Sequence, residues 1–167
     1  RRLSEAEIRR IADGIRYDPA EDSPTVSDAS GPIDPGDQNR QLSERAVVAA
    51  GEVDGVAWRL EVYESDAGLC ADLRYYRGTS GGCGFDVPAQ RVIGIGSARF
   101  GALQAIYGPV RRNVATIQVH LASGEIITVT PVGQDLGFPV HFYVAVVPAD
   151  DPADVIVAFN TAGGEVA

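Results

Sequence analysis

The stretch "WRLEVYESDAGLCADLRYYRGTSGGCGF", residues 58–85, decides the architecture. Trp58, Leu60 and Val62 alternate with Arg59, Glu61 and Tyr63; further on, Leu69, Ala71, Leu73 and Tyr75 alternate with Cys70, Asp72, Arg74 and Tyr76. A period of two places successive side chains on opposite faces of a strand, so each run offers one face to a core and one to solvent. Trp58 falls on the inward register, where its expected role is core packing.

The same stretch holds the two cysteines of the chain, Cys70 and Cys83. A zinc site takes four ligands, usually as close Cys pairs with nearby histidines, whereas His120 and His141 stand far along the chain at no usual spacing. A catalytic thiolate needs a base and a positive neighbourhood; Arg74 and Arg77 are near, but no local signature of a cysteine enzyme surrounds either thiol. An extended strand, a Gly-rich reversal and a returning segment would bring the two cysteines to the Cα separation of roughly 5.5 Å that a bridge needs. A Cys70–Cys83 disulfide is therefore expected, and with it an oxidising, extracytoplasmic location.

Strand-like runs continue at Val114–Leu121, Ile126–Val132, Val140–Val147 and Val155–Phe159, with "ASGE" at 122–125 as a hairpin turn in which Gly124 takes positive φ. Six or seven strands without intervening helices predict an all-β fold, an immunoglobulin-like β-sandwich over residues 46–167. Residues 86–112, interrupted by Gly94, Gly96, Gly101 and Gly108, fit an edge strand with bulges, a long loop, or a short helix around 98–107, and the sequence leaves the three open.

Upstream, "LSEAEIRRIADGIR" at 3–16 opens with a capping box, Ser4 with Glu7, and a hydrophobic staple, Leu3 with Ile8. Ile8, Ile11, Ala12 and Ile15 then form one apolar stripe, which predicts an N-terminal amphipathic helix over 1–16. So short a helix is not stable alone in water, so it needs a surface on its own domain or on a partner. Ile8, Ile11 and Ile15 are accordingly the candidate partner-binding residues. Residues 17–45, rich in Pro, Ser and Asp, read as an acidic linker, with a short helical turn expected over Leu42–Val48.

Net charge is −9 over 167 residues, and every cation is an arginine. With no basic face to displace counterions from phosphates, nucleic acid is excluded as a partner class. No segment reaches the ~20 apolar residues of a membrane helix. The chain opens on Arg-Arg, which leaves place for a signal peptide or a membrane anchor upstream of Arg1.

Little else suggests catalysis. His120 and His141 fall on the outward registers of their strands, beside Gln118 and Tyr143, where histidines are usually solvated. "GIGSA" at 94–98 lacks the last glycine of a nucleophile elbow, "GIGSARFG" has no βαβ unit to make it a phosphate loop, and "DDPAD" at 150–154 is no EF-hand. No cofactor and no metal are expected. Tyr63, Tyr76 and Tyr143, with His141, are candidate ligand-facing residues for stacking on a glycan.

Together, "GVAWRLEVYESDAGLCADLRY", "GGCGFDVP", "YGPV" and the C-terminal "AFNTAGGEV" resemble poorly characterised extracytoplasmic, immunoglobulin-like domains of exported or membrane-anchored actinobacterial proteins. The resemblance spans residues 51–167; its Trp, Gly-Leu-Cys and Cys-Gly-Phe correspond to Trp58, Gly68–Cys70 and Cys83–Phe85. It implies a fold and a cell-envelope or secreted location, and brings no activity and no catalytic residue. The function expected is a non-catalytic interaction or structural module with a protein partner. The alternatives are a carbohydrate-binding module and a hydrolase that depends on His120 or His141.

Overall fold

The computed structural model describes residues 40–53, 55–76, 78–85 and 91–166; the expected helix with Ile8, Ile11 and Ile15, and the linker up to residue 39, lie outside the described residues. Ten strands follow in chain order: β1 (Ala46–Val53), β2 (Val56–Ser65), β3 (Gly68–Tyr75), β4 (Gly78–Gly82), β5 (Gly96–Phe100), β6 (Leu103–Val110), β7 (Val114–Leu121), β8 (Ile126–Val129), β9 (His141–Pro148) and β10 (Ala153–Asn160). They pair antiparallel in three sheets, ordered β1-β2-β3-β4, β5-β6-β9 and β10-β7-β8, and no helix occurs among the described residues.

The β2–β3 hairpin follows from the alternation. Leu60 pairs with Leu73 and Val62 with Ala71, all inward and fully buried. Ser65 closes the turn, its hydroxyl accepting from the Ala67 amide and donating to the Gly68 carbonyl, where Gly68 has φ 101°. Trp58 is buried, as its register predicts, and faces Gly51 across β1–β2; a Cβ at 51 would come within 2.8 Å of the indole, so the glycine makes room for the ring.

The sheets stack as a β-sandwich with two cores. Trp58, Leu60, Val62 and Leu73 of the first sheet pack against Phe100, Tyr107, Phe142, Val144 and Val146 of the middle one. On the other side of the middle sheet, Ile106, Val110, Tyr143, Ala145 and Val147 pack against Ile117, Val119, Leu121, Ile127 and Val129. Strands covered on both faces lose their polar alternation, which is why β9 reads as the nearly unbroken apolar run HFYVAVVP. The first two sheets also meet at an edge, where the Tyr107 hydroxyl donates to the Ser80 carbonyl at 2.6 Å and Ser80 Oγ donates to the Ser97 carbonyl at 3.1 Å.

Several expectations are corrected. Leu42–Val48 forms no helical turn: Leu42 N donates to the Glu64 carbonyl at 2.7 Å, Gln41 bridges Ser65, and from Ala46 the chain is strand, so the segment extends the edge of β2. The short helix entertained for 98–107 is a hairpin of β5 and β6, turned at Gly101, whose φ of 64° suits it to the position. Tyr143 does not face outward, because the third sheet covers that side of β9. The turn at 122–125 matches its expectation, with Gly124 at φ 89° and Leu121 N bonded to the Glu125 carbonyl at 2.8 Å.

Candidate interaction surfaces

The outer face of the first sheet carries the disulfide and a charge network. In the β3–β4 register Ala71 pairs with Gly82, which sets Cys70 directly opposite Cys83; the two are bonded, with Cα atoms 4.0 Å apart. The glycines do a different job from the one expected. β3 ends at Tyr75 and β4 starts at Gly78, so Gly78, Gly81 and Gly82 lie in the strand and do not form the reversal. A Cβ on Gly81 would come within 2.0 Å of Asp72 Oδ1 and 2.8 Å of the Ala71 carbonyl oxygen. Glycine there clears space for the Asp72 carboxylate.

That carboxylate takes an ion pair from Arg45 Nη1 at 2.5 Å. Beside it Glu61, with a side chain only 6% exposed, is ion-paired with Arg59 Nε at 2.6 Å, Arg74 Nε at 2.8 Å and Arg45 Nη1 at 3.5 Å. The Arg59 and Arg74 contacts are charge contacts whose angles fall short of hydrogen bonds. The Arg45 guanidinium lies 3.9 Å over the Tyr63 ring. Burial, reinforced by the Asp72 carboxylate, raises the Tyr63 phenol above its ordinary range. The sequence signal for this cluster is the outward pair Arg59, Glu61 on β2 and the outward pair Asp72, Arg74 on β3, which the hairpin register brings face to face.

Closing a loop of 13 residues by a disulfide stabilises by about 3 kcal/mol in the chain-entropy model. Because the β3–β4 ladder already holds these partners in register, Cys70→Ala/Cys83→Ala is expected to lose about 2 kcal/mol, at the lower end of the usual range. Urea unfolding of the variant against the oxidised parent checks this; a loss below ~0.5 kcal/mol would show that the bridge leaves the unfolded ensemble unconstrained.

The three candidate ligand tyrosines do not form one platform. Tyr143 is fully buried in the second core, its hydroxyl donating to the Gly94 carbonyl at 3.2 Å, and burial drives its pKa far above the ordinary phenol range. Tyr63 is buried beneath Arg45, and Tyr76, 77% exposed, stands at the β3–β4 end. His141, at the start of β9, is half-buried. Its pKa is lowered by burial first and by repulsion from Arg112 second; Arg112 itself donates to the Phe138 carbonyl.

A folded-state pKa below the unfolded one means that the unfolded chain protonates first. The contribution of His141 to stability is therefore complete above an unperturbed value of about 6.5 and is lost as pH falls through the folded value. An NMR titration should place His141 below an ordinary imidazole, and Arg112→Gln should move it upward. A midpoint unchanged by that substitution would remove Arg112 as a cause.

The outer face of the third sheet is different in kind. Register sets Val155 and Ile126 on either side of His120, Val157 and Thr128 on either side of Gln118, and Phe159 beside Thr116. Val155 and Ile126 are each 49% exposed, while His120 Nε2, shut off from solvent between them, has no hydrogen-bond partner among the described residues. Along β10 the outward column is entirely apolar: Val155, Val157 and Phe159. Inward from the same strands, Ile156, Ala158, Ile117, Val119 and Ile127 fill the second core.

His120 and His141 stand on different sheets, and among the described residues no group of three or more His, Cys, Asp or Glu is placed to hold a metal ion. In comparisons with protein-family models, curated proteins and solved structures, the chain has no match.

Proposed function

We propose that the chain is a non-catalytic interaction module of a bacterial envelope or secreted assembly, working outside the cytoplasm. The observation that carries this reading is the outer face of β10-β7-β8. An antiparallel sheet with one solvated face normally alternates apolar inward and polar outward. Here β10 sends apolar residues both ways, and Val155 and Ile126 keep half their surface in water. Burying that surface against a partner gains roughly 25 cal/mol per Å² of apolar area.

The compartment is supported by the Cys70–Cys83 bridge, since disulfides persist where thiols are not kept reduced. The immunoglobulin-like reading is supported by the antiparallel stacked sheets with a buried Trp58, although a two-sheet scheme accounts for only one of the two cores. Ile8, Ile11 and Ile15, the partner-facing stripe expected from sequence, lie outside the described residues, so the sheet face stands as the surface under test.

A photo-crosslinking amino acid at position 155 is expected to give one defined adduct with a component of the envelope or secreted fraction. The same group at Arg112, in the turn between β6 and β7, should give none. Ile126→Asp should abolish the adduct without changing the cooperativity of unfolding. No adduct from position 155 in either fraction would end this reading.

A further inference from the structure

We infer that Arg59 and Arg74 form a binding site for the carboxylate of an acidic glycan, a uronic acid residue whose sugar ring lies against Tyr76. The site is on the outer face of the first sheet, so it stands or falls independently of the interaction face of β10-β7-β8.

Register makes the pair. Arg59 of β2 and Arg74 of β3 are cross-strand partners, flanked in the same row by Ala50 of β1 and Thr79 of β4. Side chains directly opposite on antiparallel strands stand about 5 Å apart at Cβ, and like charges so placed repel. Glu61 balances them, with Arg59 Nε at one carboxylate oxygen and Arg74 Nε at the other. One carboxylate between two guanidiniums leaves one positive charge in excess, because Asp72 is taken by Arg45. The next outward row away from Glu61 holds Ala57 and Glu52. Glu52 is exposed and forms no ion pair among the described residues, so it does not neutralise the excess.

The donors are unspent as well. Neither Arg59 nor Arg74 donates a hydrogen bond among the described residues, although both Nε atoms are shut off from solvent. Buried donors in folded proteins are nearly always paired, and a guanidinium presents its N–H groups as a planar fork. Two such forks side by side match a carboxylate, which accepts from both and cancels the single excess charge. Tyr76 selects the carrier. It follows Arg74 by two residues, about 7 Å along an extended chain, and is 77% exposed. An aromatic face beside a guanidinium pair suits a pyranose ring that carries its carboxylate at one end, and Thr79, exposed across from Arg74, adds a hydroxyl at the rim.

The probe is a galacturonic acid oligomer, titrated into the full chain and followed by NMR. It should shift the signals of Arg59, Arg74 and Tyr76 and leave those of His120, Ile126 and Val155 in place. Arg59→Gln and Arg74→Gln should each weaken binding about tenfold or more, the loss of a charge-assisted hydrogen bond, whereas Arg112→Gln should not. Arg59→Lys keeps the charge and gives up the fork, so it should weaken binding in a protein whose ion pair with Glu61 is retained. Tyr76→Ala should weaken it too, and the methyl-esterified oligomer, with the same rings and no charge, should not bind. No shift with the acidic oligomer overturns the inference. So does equal binding of the methyl ester, or an affinity unchanged in arginine variants that still unfold cooperatively in urea. A glutamate-rich peptide that binds as tightly as the oligomer, or binding indifferent to Tyr76→Ala, overturns it as well, because the carboxylate would then be held without its sugar.

Discussion

Gly108→Ala is expected to destabilise the protein by about 3 kcal/mol or somewhat more, at the upper end of what overpacking costs. A Cβ at 108 would lie 2.2 Å from the Gly94 carbonyl oxygen and 2.8 Å from its carbon, both backbone atoms that cannot rotate away. The segment it would displace is held on three sides: Gly94 N donates to the Pro109 carbonyl at 2.8 Å, Arg111 N to the Val92 carbonyl at 3.0 Å, and the buried Tyr143 hydroxyl to the Gly94 carbonyl. Alanine at 108 must push residues 92–94 off the edge of β6 and strand the Tyr143 hydroxyl inside the second core, where an unmade hydrogen bond costs about 1–3 kcal/mol.

Tyr143→Phe serves as the control. It removes the hydroxyl without adding bulk and takes away the donor that the Gly94 carbonyl accepts from, so about 1 kcal/mol should be lost. Chemical denaturation of both variants separates the effects. A Gly108→Ala variant no less stable than Tyr143→Phe would mean that the β6 edge gives way at little cost, contrary to the close approach.

The same junction explains where the sequence stopped being legible. In β2 and β3 the period of two has one polar phase, and parity alone assigns Trp58, Leu60 and Leu73 to the core. In β9 parity separates Phe142, Val144 and Val146 from Tyr143, Ala145 and Val147, but both sets are apolar, and only a third sheet decides that both are inside. Tyr143 reads as outward because its neighbour in phase is His141, a polar residue at the strand's end. Between 86 and 112 the obstacle was glycine: Gly94 and Gly108 look like helix- or strand-breakers, yet they are present because two backbones approach closely.

The candidate surfaces divide in the same way. Cys70–Cys83 is legible from spacing, as a strand, a reversal and a return, but the glycines lie in β4 and not in the turn. The apolar column of the third sheet depends on β10 pairing with β7 across more than 30 residues of chain, a non-local contact that no local pattern encodes.

Glu61→Gln should cost about 3 kcal/mol, the lower end of the range for breaking a buried ion pair, because its three arginine partners are 21–31% exposed and water takes up part of the loss. The substitution keeps the shape and removes the charge. Three guanidiniums then share the single carboxylate of Asp72, and Arg59 and Arg74, directly opposite each other in the β2–β3 register, face one another without the anion between them. Two results follow if charge is the cause. Added salt should recover part of the deficit, since screening weakens the repulsion left behind. Glu61→Gln/Arg74→Gln should be more stable than Glu61→Gln alone, because one unbalanced cation has been removed, and a double-mutant cycle measures the coupling. Urea unfolding at low and high ionic strength decides between this account and a purely steric one, in which Glu61→Gln would differ from the parent by less than ~1 kcal/mol and neither salt nor the second substitution would change the gap.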